Sequence, residues 1–535
     1  MTDAAPHIFA IYHNALHSII CGIRGLLTAV VIGVFLFTAA CTTTTTVVAP
    51  TNTSAIQKMF ELAFSDIHEI HLDTINIDAL ALGGLQGLTL LEPAAELRRK
   101  DGAVEFLINE SLITKTEAPS ANDGVGWAKV VDALIAIGKK SSAKLENADD
   151  ERIYKAVFSG VLKKLDKYSR YAGAKLTRRN RAIREGFGGI GVSIKAEATG
   201  ARVVKVAQNS PASKAGLQVG DLMTAVDGAA IDGLPLQETV KKLRGLVHKK
   251  IQVKIERKSL QEPIVVVMQR IRIMPTTVHY TPKDTVAYVQ VTSFNQDTAR
   301  QLKDTVQRAR QELGDKLKGL VLDLRDNPGG LLDQAVDTAN LFIVRGRISD
   351  TKGRHRDSVQ HFSASNGDIS QGLPIAVLMN GASASAAEIL ASALQDNGRA
   401  ILIGSRSFGK GTVQTVLQLP NEGELILTWA RLLAPLGYSL NRLGVLPNIC
   451  TSNASDVDTL LKEALGGNLE RRQKALSLRR SIRDDDSEKG KAVQASCPWR
   501  PRNGLDIDIE VAKAILESGE LYERAVVISA PIAGS

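Results

Sequence analysis

The chain has 535 residues, 44% of them hydrophobic and 23% charged, enough for two to four domains with full cores. Its net charge of +9, from 66 basic and 57 acidic side chains, includes clusters such as Arg178-Arg-Asn-Arg and Arg471-Arg-Gln-Lys. These clusters lack interleaved aromatics and the chain is only 4% aromatic, which argues against a nucleic-acid partner and for a solvated face or contact with anionic lipid.

The run from Gly25 to Ala40 is uncharged and follows Arg24. It is too short for a comfortable membrane span and suits the apolar stretch of a signal peptide. It ends in Thr38-Ala39-Ala40-Cys41, which resembles a bacterial lipoprotein cleavage box with Thr where Leu is usual. The expectation is a signal peptide over 1–40, lipid on Cys41, and a Thr-rich tether over 41–56. The protein would then sit in the bacterial periplasm, tied to the membrane through that lipid; an uncleaved N-terminal anchor is the alternative.

Residues 57–185 read as mainly helical, with apolar spacing at Ile56, Met59, Phe60 and Ala63, and again at Val130, Val131, Leu134 and Ile135. His68-Glu-Ile-His71 is one residue short of the zinc-protease H-E-x-x-H pattern, so no metal site is assigned there or elsewhere, and no cofactor is implied. From 186 to 272 short strands alternate with Gly and Asp turns around one amphipathic helix near Leu236–Leu243. Ser210-Pro-Ala-Ser-Lys-Ala-Gly-Leu and Gly220-Asp-Leu-Met-Thr-Ala-Val-Asp-Gly resemble a PDZ domain. Such domains add a peptide as an extra strand and hold its terminal carboxylate on backbone amides, here those of Gly188, Gly189, Ile190 and Gly191. Read alone, that loop is also an ordinary glycine-rich hairpin turn.

Residues 273–455 carry the chemistry. Val321-Leu-Asp-Leu-Arg reads as a buried strand, Asp326-Asn-Pro-Gly-Gly as the turn after it, and Leu331-Leu-Asp-Gln-Ala-Val-Asp-Thr-Ala as a helix. The same order recurs with the strand Pro374-Ile-Ala-Val-Leu-Met, the small-residue turn Asn380-Gly-Ala-Ser-Ala-Ser385, and the helix from Glu388. A serine on such a turn is exposed, and Lys410, framed by Gly409 and Gly411, can approach closely. Serine needs a base, and a lysine serves only if its pKa falls from about 10.4 towards neutrality. No carboxylate is close to Lys410 in sequence, so burial has to tune it.

Two other motifs fail. Gly404-Ser-Arg-Ser-Phe-Gly-Lys-Gly nearly spells a phosphate-binding loop, but lacks Ser or Thr after the lysine, and Thr412-Val-Gln-Thr-Val-Leu-Gln-Leu reads as a strand. Gly381-Ala-Ser-Ala-Ser lacks the final glycine of a nucleophile elbow, and no histidine follows Ser385.

Ser383-Ala-Ser-Ala-Ala-Glu388, Phe408-Gly-Lys-Gly-Thr-Val-Gln414 and Asp323-Leu-Arg-Asp-Asn-Pro-Gly-Gly330 together resemble the carboxyl-terminal processing proteases, also called tail-specific proteases. Ala387 stands where the family more often has a third serine. Asp166-Lys-Tyr-Ser-Arg-Tyr171 is similar to the family's Asp-x-x-Ser-x-Tyr segment. The resemblance implies Ser385 as nucleophile with Ser383 as its rival, Lys410 as general base, Gln414 as the group orienting the lysine, and an oxyanion hole from Gly329 or Gly330 with the Ala386 amide. It also implies a multi-domain α/β fold: a crotonase-like protease core, an inserted PDZ β-barrel and a helical N-terminal region. If residues 410 to 414 were fully extended, their Cα atoms would stand about 13 Å apart, so Gly411 must bend the chain or Gln414 does not touch Lys410.

Residues 456–535 are expected to form a helical or partly disordered tail. Cys450 and Cys497 could bridge in an oxidising compartment, although two cysteines alone do not establish a pair. The function that follows is a serine endopeptidase cleaving proteins or peptides with free C-termini near their tails. A non-catalytic PDZ adaptor with a protease-like core is the alternative. The weakly matching flanks leave room for a homo-oligomer or an adaptor lipoprotein as partner.

Overall fold

The computed structural model describes residues 53–365, 367–467, 469–483, 487–499 and 506–529. The leader, Cys41 and the tether up to residue 52 lie outside them. Among the described residues no helix is long and apolar enough to cross a membrane.

The protease core is a six-stranded sheet in the order Val278–Lys283, Val286–Val291, Gly319–Asp323, Ile375–Met379, Ile401–Gly404, Ile449–Cys450. The first two strands form an antiparallel hairpin and the rest run parallel. Gly319–Asp323, Ile375–Met379 and Ile401–Gly404 are buried along their whole length, as parallel strands covered on both faces must be. Leu320, Leu322, Ile375, Val377 and Leu402 point into one core with the helices Thr298–Leu313, Leu332–Asn340 and Ala386–Asp396. Val321, Ala376, Leu378, Ile401 and Ile403 point the other way, against Val511, Ala512, Ile515 and Leu516 of helix Ile507–Glu517 and Ala525 of helix Gly519–Val527. The tail is therefore the second covering layer of the sheet, with a disulfide between Cys450 and Cys497 adding a covalent tie.

A second sheet, in the order Gln360–Ala364, Gly346–Gly353, Glu424–Leu433, Thr412–Gln418, flanks the site, and the short strand Arg170–Ala172 pairs with Glu424–Leu433. The N-terminal region packs the helices Ala55–Ile70, Ile77–Gln86, Gly124–Ser141 and Asp150–Leu162, with the short helix Ala143–Glu146, over a core including Phe60, Phe64, Trp127 and Phe158. It is mainly helical, as expected, and carries one element outside that expectation: Ala95–Lys100, Ala103–Ile108 and Ser111–Glu117 form an antiparallel sheet. Its two tight turns, Asp101-Gly102 and Asn109-Glu110, all have positive φ, the hairpin geometry that matches strand twist.

The PDZ unit is a sheet in the order Ile264–Gln269, Lys250–Glu256, Leu222–Val226, Gly200–Val206, Val192–Glu197, with the core residues Ile190, Val203, Met223 and Val253. The chain enters it through Phe187–Gly189 and leaves through Ile271–Ile273, and these two segments pair antiparallel as a ribbon.

Candidate active site

Two turns at the carboxyl ends of neighbouring parallel strands build the site, where open α/β sheets place their ligands. The turns clasp each other: Asp326 N–H donates to Asn380 Oδ1 at 3.1 Å and Asn380 Nδ2 donates to Asp326 Oδ1 at 3.0 Å. Asn327 accepts from Ala384 N–H at 2.9 Å on its carbonyl, while its side chain donates to Val291 O at 2.7 Å.

Ser385 ends the second turn with φ +56 and ψ −115, a conformation that costs a non-glycine residue strain. Its hydroxyl donates no hydrogen bond among the described residues; it heads the capping box made with Glu388. Ser383, the rival, is 1% exposed; its Oγ donates to Leu324 O at 2.8 Å and accepts from Asn380 N–H at 2.9 Å. One serine ties the turn together and the other faces the cleft.

That cleft, about 390 Å³, is lined by Ser385, Ala386, Lys410, Gln414, Gly329 and Gly330 together, and by apolar side chains including Ile183, Leu332 and Ile389. Gly409 and Gly411 permit the lysine's approach. A β-carbon on either would lie within 2.6 Å of the Asn441–Arg442 backbone, and Gly409 also holds φ +87. Thr412–Gln418 is a strand, so the phosphate-loop reading fails on structure as well.

Burial pushes the half-buried Lys410 ammonium below the ordinary lysine range; the Arg170 guanidinium adds to this, and the Glu388 and Asp166 carboxylates oppose it. Nζ lies 5.3 Å from the centre of the Tyr168 ring and makes no hydrogen bond among the described residues. The orienting contact expected from Gln414 is likewise not formed: its Nε2 donates to Thr412 Oγ1 at 3.0 Å and Thr428 Oγ1 at 3.3 Å. A register shift between Val413 and Gln414 interrupts the strand there, and both residues still line the cleft with Lys410.

The oxyanion expectation narrows. Gly329 N–H donates to Asn327 Oδ1 at 2.8 Å, so this amide is engaged. Gly330 and Ala386 amides carry no hydrogen bond among the described residues, and both border the cleft.

Glu388, read only as part of a motif, organises the whole. Fully buried, it accepts from Ser385 N–H at 2.7 Å and Lys410 N–H at 2.9 Å on Oε2, and from Gly409 N–H at 2.7 Å and Ser407 Oγ on Oε1. Burial pushes its carboxyl up while these four donors pull it down. Its place three residues after Ser385 is the capping-box spacing, a signal the sequence did contain.

Gly188, Gly189, Ile190 and Gly191 stand apart from this cleft, in the PDZ unit. Gly188 and Gly189 are built into the ribbon, and Gly188 O accepts from Gly245 N–H at 3.1 Å. The Ile190 and Gly191 amides carry no hydrogen bond among the described residues and lead into the edge strand Val192–Glu197. His68 and His71 do not converge: His68 Nδ1 faces Ile75 O and His71 Nε2 faces Asp166 Oδ2. Among the described residues no cluster of three metal-ligating side chains occurs.

A model of Peptidase family S41 matches residues 285–451, and one of the PDZ domain matches residues 188–266. The carboxy-terminal-processing protease of Bartonella bacilliformis is 35% identical over 386 residues, covering 70% of this chain and 85% of its own. A "Probable CtpA-like serine protease" of Staphylococcus aureus is 34% identical over 307 residues, covering 56% of this chain and 60% of its own. Among solved structures, the photosystem II D1 C-terminal processing protease aligns over 74% of this chain and 92% of its own, at 23% identity and a TM-score of 0.36.

Proposed function

The chain belongs to peptidase family S41 and is a carboxy-terminal-processing serine peptidase; from that premise we propose that Ser385 is its nucleophile, Lys410 its general base, and the Gly330 and Ala386 amides its oxyanion hole. The observation that carries this reading is the single cleft in which Ser385, whose hydroxyl proton is uncommitted, shares space with a lysine depressed by burial and with two unpaired amides. Neutral Lys410 takes the Ser385 proton as Oγ attacks the scissile carbonyl, and the oxyanion forms against the two amides. The lysine then returns that proton to the leaving amine. Water repeats the cycle on the acyl-enzyme and frees Ser385. Gln414 orients the lysine once substrate closes the cleft.

Substrate choice in this reading belongs to the PDZ unit. The amides of Ile190 and Gly191 take the terminal carboxylate of a protein or peptide, and its tail lies along Val192–Glu197. In this reading the leader directs the enzyme to the bacterial periplasm, with Cys41 lipidated; the tether is shorter than the expected 41–56, because Ser54 already caps the helix Ala55–Ile70 and donates to Asp132. A homo-oligomer or an adaptor lipoprotein completes the partners proposed. The adaptor-only reading is not favoured by an intact nucleophile and base.

Active-site labelling with a fluorophosphonate tests the chemistry. Ser385→Ala should abolish labelling and turnover, whereas Ser383→Ala should keep both at reduced stability. Equal loss in the two variants would remove the basis for choosing Ser385.

A further inference from the structure

Thr428 lies in strand Glu424–Leu433, and distant residues hold it on every side. Its N–H donates to Ser169 Oγ at 3.1 Å, its carbonyl accepts from Leu72 N–H at 2.8 Å, and its Oγ1 donates to Asp166 Oδ1 at 2.8 Å. Asp166 also accepts from the Ser169 hydroxyl and the Tyr168 amide, and lies 3.0 Å from Nε2 of His71, itself 1% exposed. Burial pushes the Asp166 carboxyl up, but these partners outweigh it and hold the group well below the usual carboxylate range. It is ionised, and an ionised carboxylate only accepts.

That fixes the direction of the next bond. The Thr428 hydroxyl has one proton, committed to Asp166, so towards Gln414 it offers lone pairs alone. Gln414 therefore presents its NH2 group to Thr428 Oγ1 at 3.3 Å and to Thr412 Oγ1 at 3.0 Å. Its Oε1 is the end left for the cleft it shares with Lys410.

Resting on the Ser385–Lys410 reading above, we propose that Asp166 and Thr428 are positioning residues that set the amide polarity of Gln414, so that an acceptor and never a donor meets Lys410. A neutral lysine can then give an N–H to Gln414 Oε1 and keep its lone pair for the Ser385 hydroxyl. With the amide turned round, an N–H would compete with the serine for that lone pair. The N-terminal region, through His71 and Leu72, is thereby part of the apparatus that holds the base.

The test uses the full chain and two readouts: the fluorophosphonate labelling rate of Ser385 and the pH profile of peptide hydrolysis. The groups facing Lys410, namely Arg170, Glu388, Asp166 and the Tyr168 ring, all remain in Thr428 variants. Thr428→Val removes the hydroxyl at constant shape and should slow labelling about tenfold or more, with the rising limb of the pH profile displaced. Thr428→Ser should restore both readouts. In a Gln414→Ala background Thr428→Val should cost nothing further, because the group it positions is gone. An equal loss in both backgrounds, or no loss in either, overturns the proposal. If melting shows Thr428→Val unfolded, Thr428→Ala is carried through the same cycle, which removes the same hydroxyl and leaves every charged group facing Lys410 in place. Failure of the parent reading is seen separately, as turnover surviving in Lys410→Ala.

Discussion

A β-carbon on Gly329 would stand 2.9 Å from the Cβ of Ser385. The oxyanion turn and the nucleophile turn are pressed together with no room for a side chain, and Gly329 also holds φ +100, where only glycine is at ease. Gly329→Ala should push the turns apart, spread the Gly330 and Ala386 amides, and lower kcat by about 10²-fold with little change in KM. A kcat within twofold of wild type would count against those two amides.

The base gives a signed pH dependence. Lys410 works when neutral, and burial lowers its pKa from the ordinary 10.5, so activity should rise with pH through a midpoint below that value. Arg170→Gln removes a repelling charge and should move the midpoint up. Lys410→Arg keeps a permanent cation and should be inactive. Turnover by Lys410→Arg would exclude the Ser-Lys mechanism.

Glu388→Gln should cost stability and rate together. Each carboxylate oxygen accepts two hydrogen bonds, and an amide nitrogen in either place faces at least one backbone N–H. Leaving one such group unpaired and buried costs about 1–3 kcal/mol. Melting and Ser385 labelling should fall in parallel; an unchanged labelling rate would detach the carboxylate from the site.

Truncation before Val457 should yield no soluble folded enzyme, because it strips the layer over Val321, Leu378, Ile401 and Ile403. Ile515→Ala is the milder form, since Ile515 is 0% exposed, and should cost about 2–5 kcal/mol in denaturant unfolding. A truncated chain with wild-type melting would show the layer to be dispensable.

Reduction of the Cys450–Cys497 bond should lower the melting temperature, since a cross-link spanning 47 residues restricts the unfolded chain by about 4 kcal/mol in the entropic account. Trp499 packs on Gly381 of the nucleophile turn, and Cys497 O accepts from Arg406 N–H. Tryptophan fluorescence should therefore change with the same reductant dependence as activity, and a change in only one would separate the tail from the turn.

The protease core was legible because its signals are local. Continuous apolar runs ending in Asp326-Asn-Pro-Gly-Gly and Asn380-Gly-Ala-Ser-Ala-Ser mark buried strands and the turns that carry function, and Lys410 is framed by two glycines. The hairpins over Ala95–Glu117 were missed although Asp101-Gly102 is a strong turn signal, because Arg98, Arg99 and Lys100 break the apolar alternation expected of a strand. The tail's role was hidden for another reason. An amphipathic helix announces that it must be covered, not by what, and only the two-sided burial of Gly319–Asp323 and its neighbours demands a second layer. Glu388 and Thr428 act through residues brought together by the fold, the latter on partners more than two hundred positions away. The capping-box spacing of Glu388 from Ser385 was readable, but its bonds to Ser407, Gly409 and Lys410, like those of Thr428, are not joined by any spacing in the sequence.

The ribbon beneath the PDZ unit has a practical meaning. Phe187 faces Ile273 across it, and such neighbours have Cα atoms about 4.5–5.5 Å apart. Excision of residues 188–272 leaves two ends that a two-residue turn can close, with the helix Ala174–Glu185 and the strand Val278–Lys283 left where they are. The unit is a cassette in a socket. Another peptide-reading module whose termini meet side by side could be plugged into the same place, which would make the choice of substrate exchangeable while the chemistry at Ser385 stays as it is.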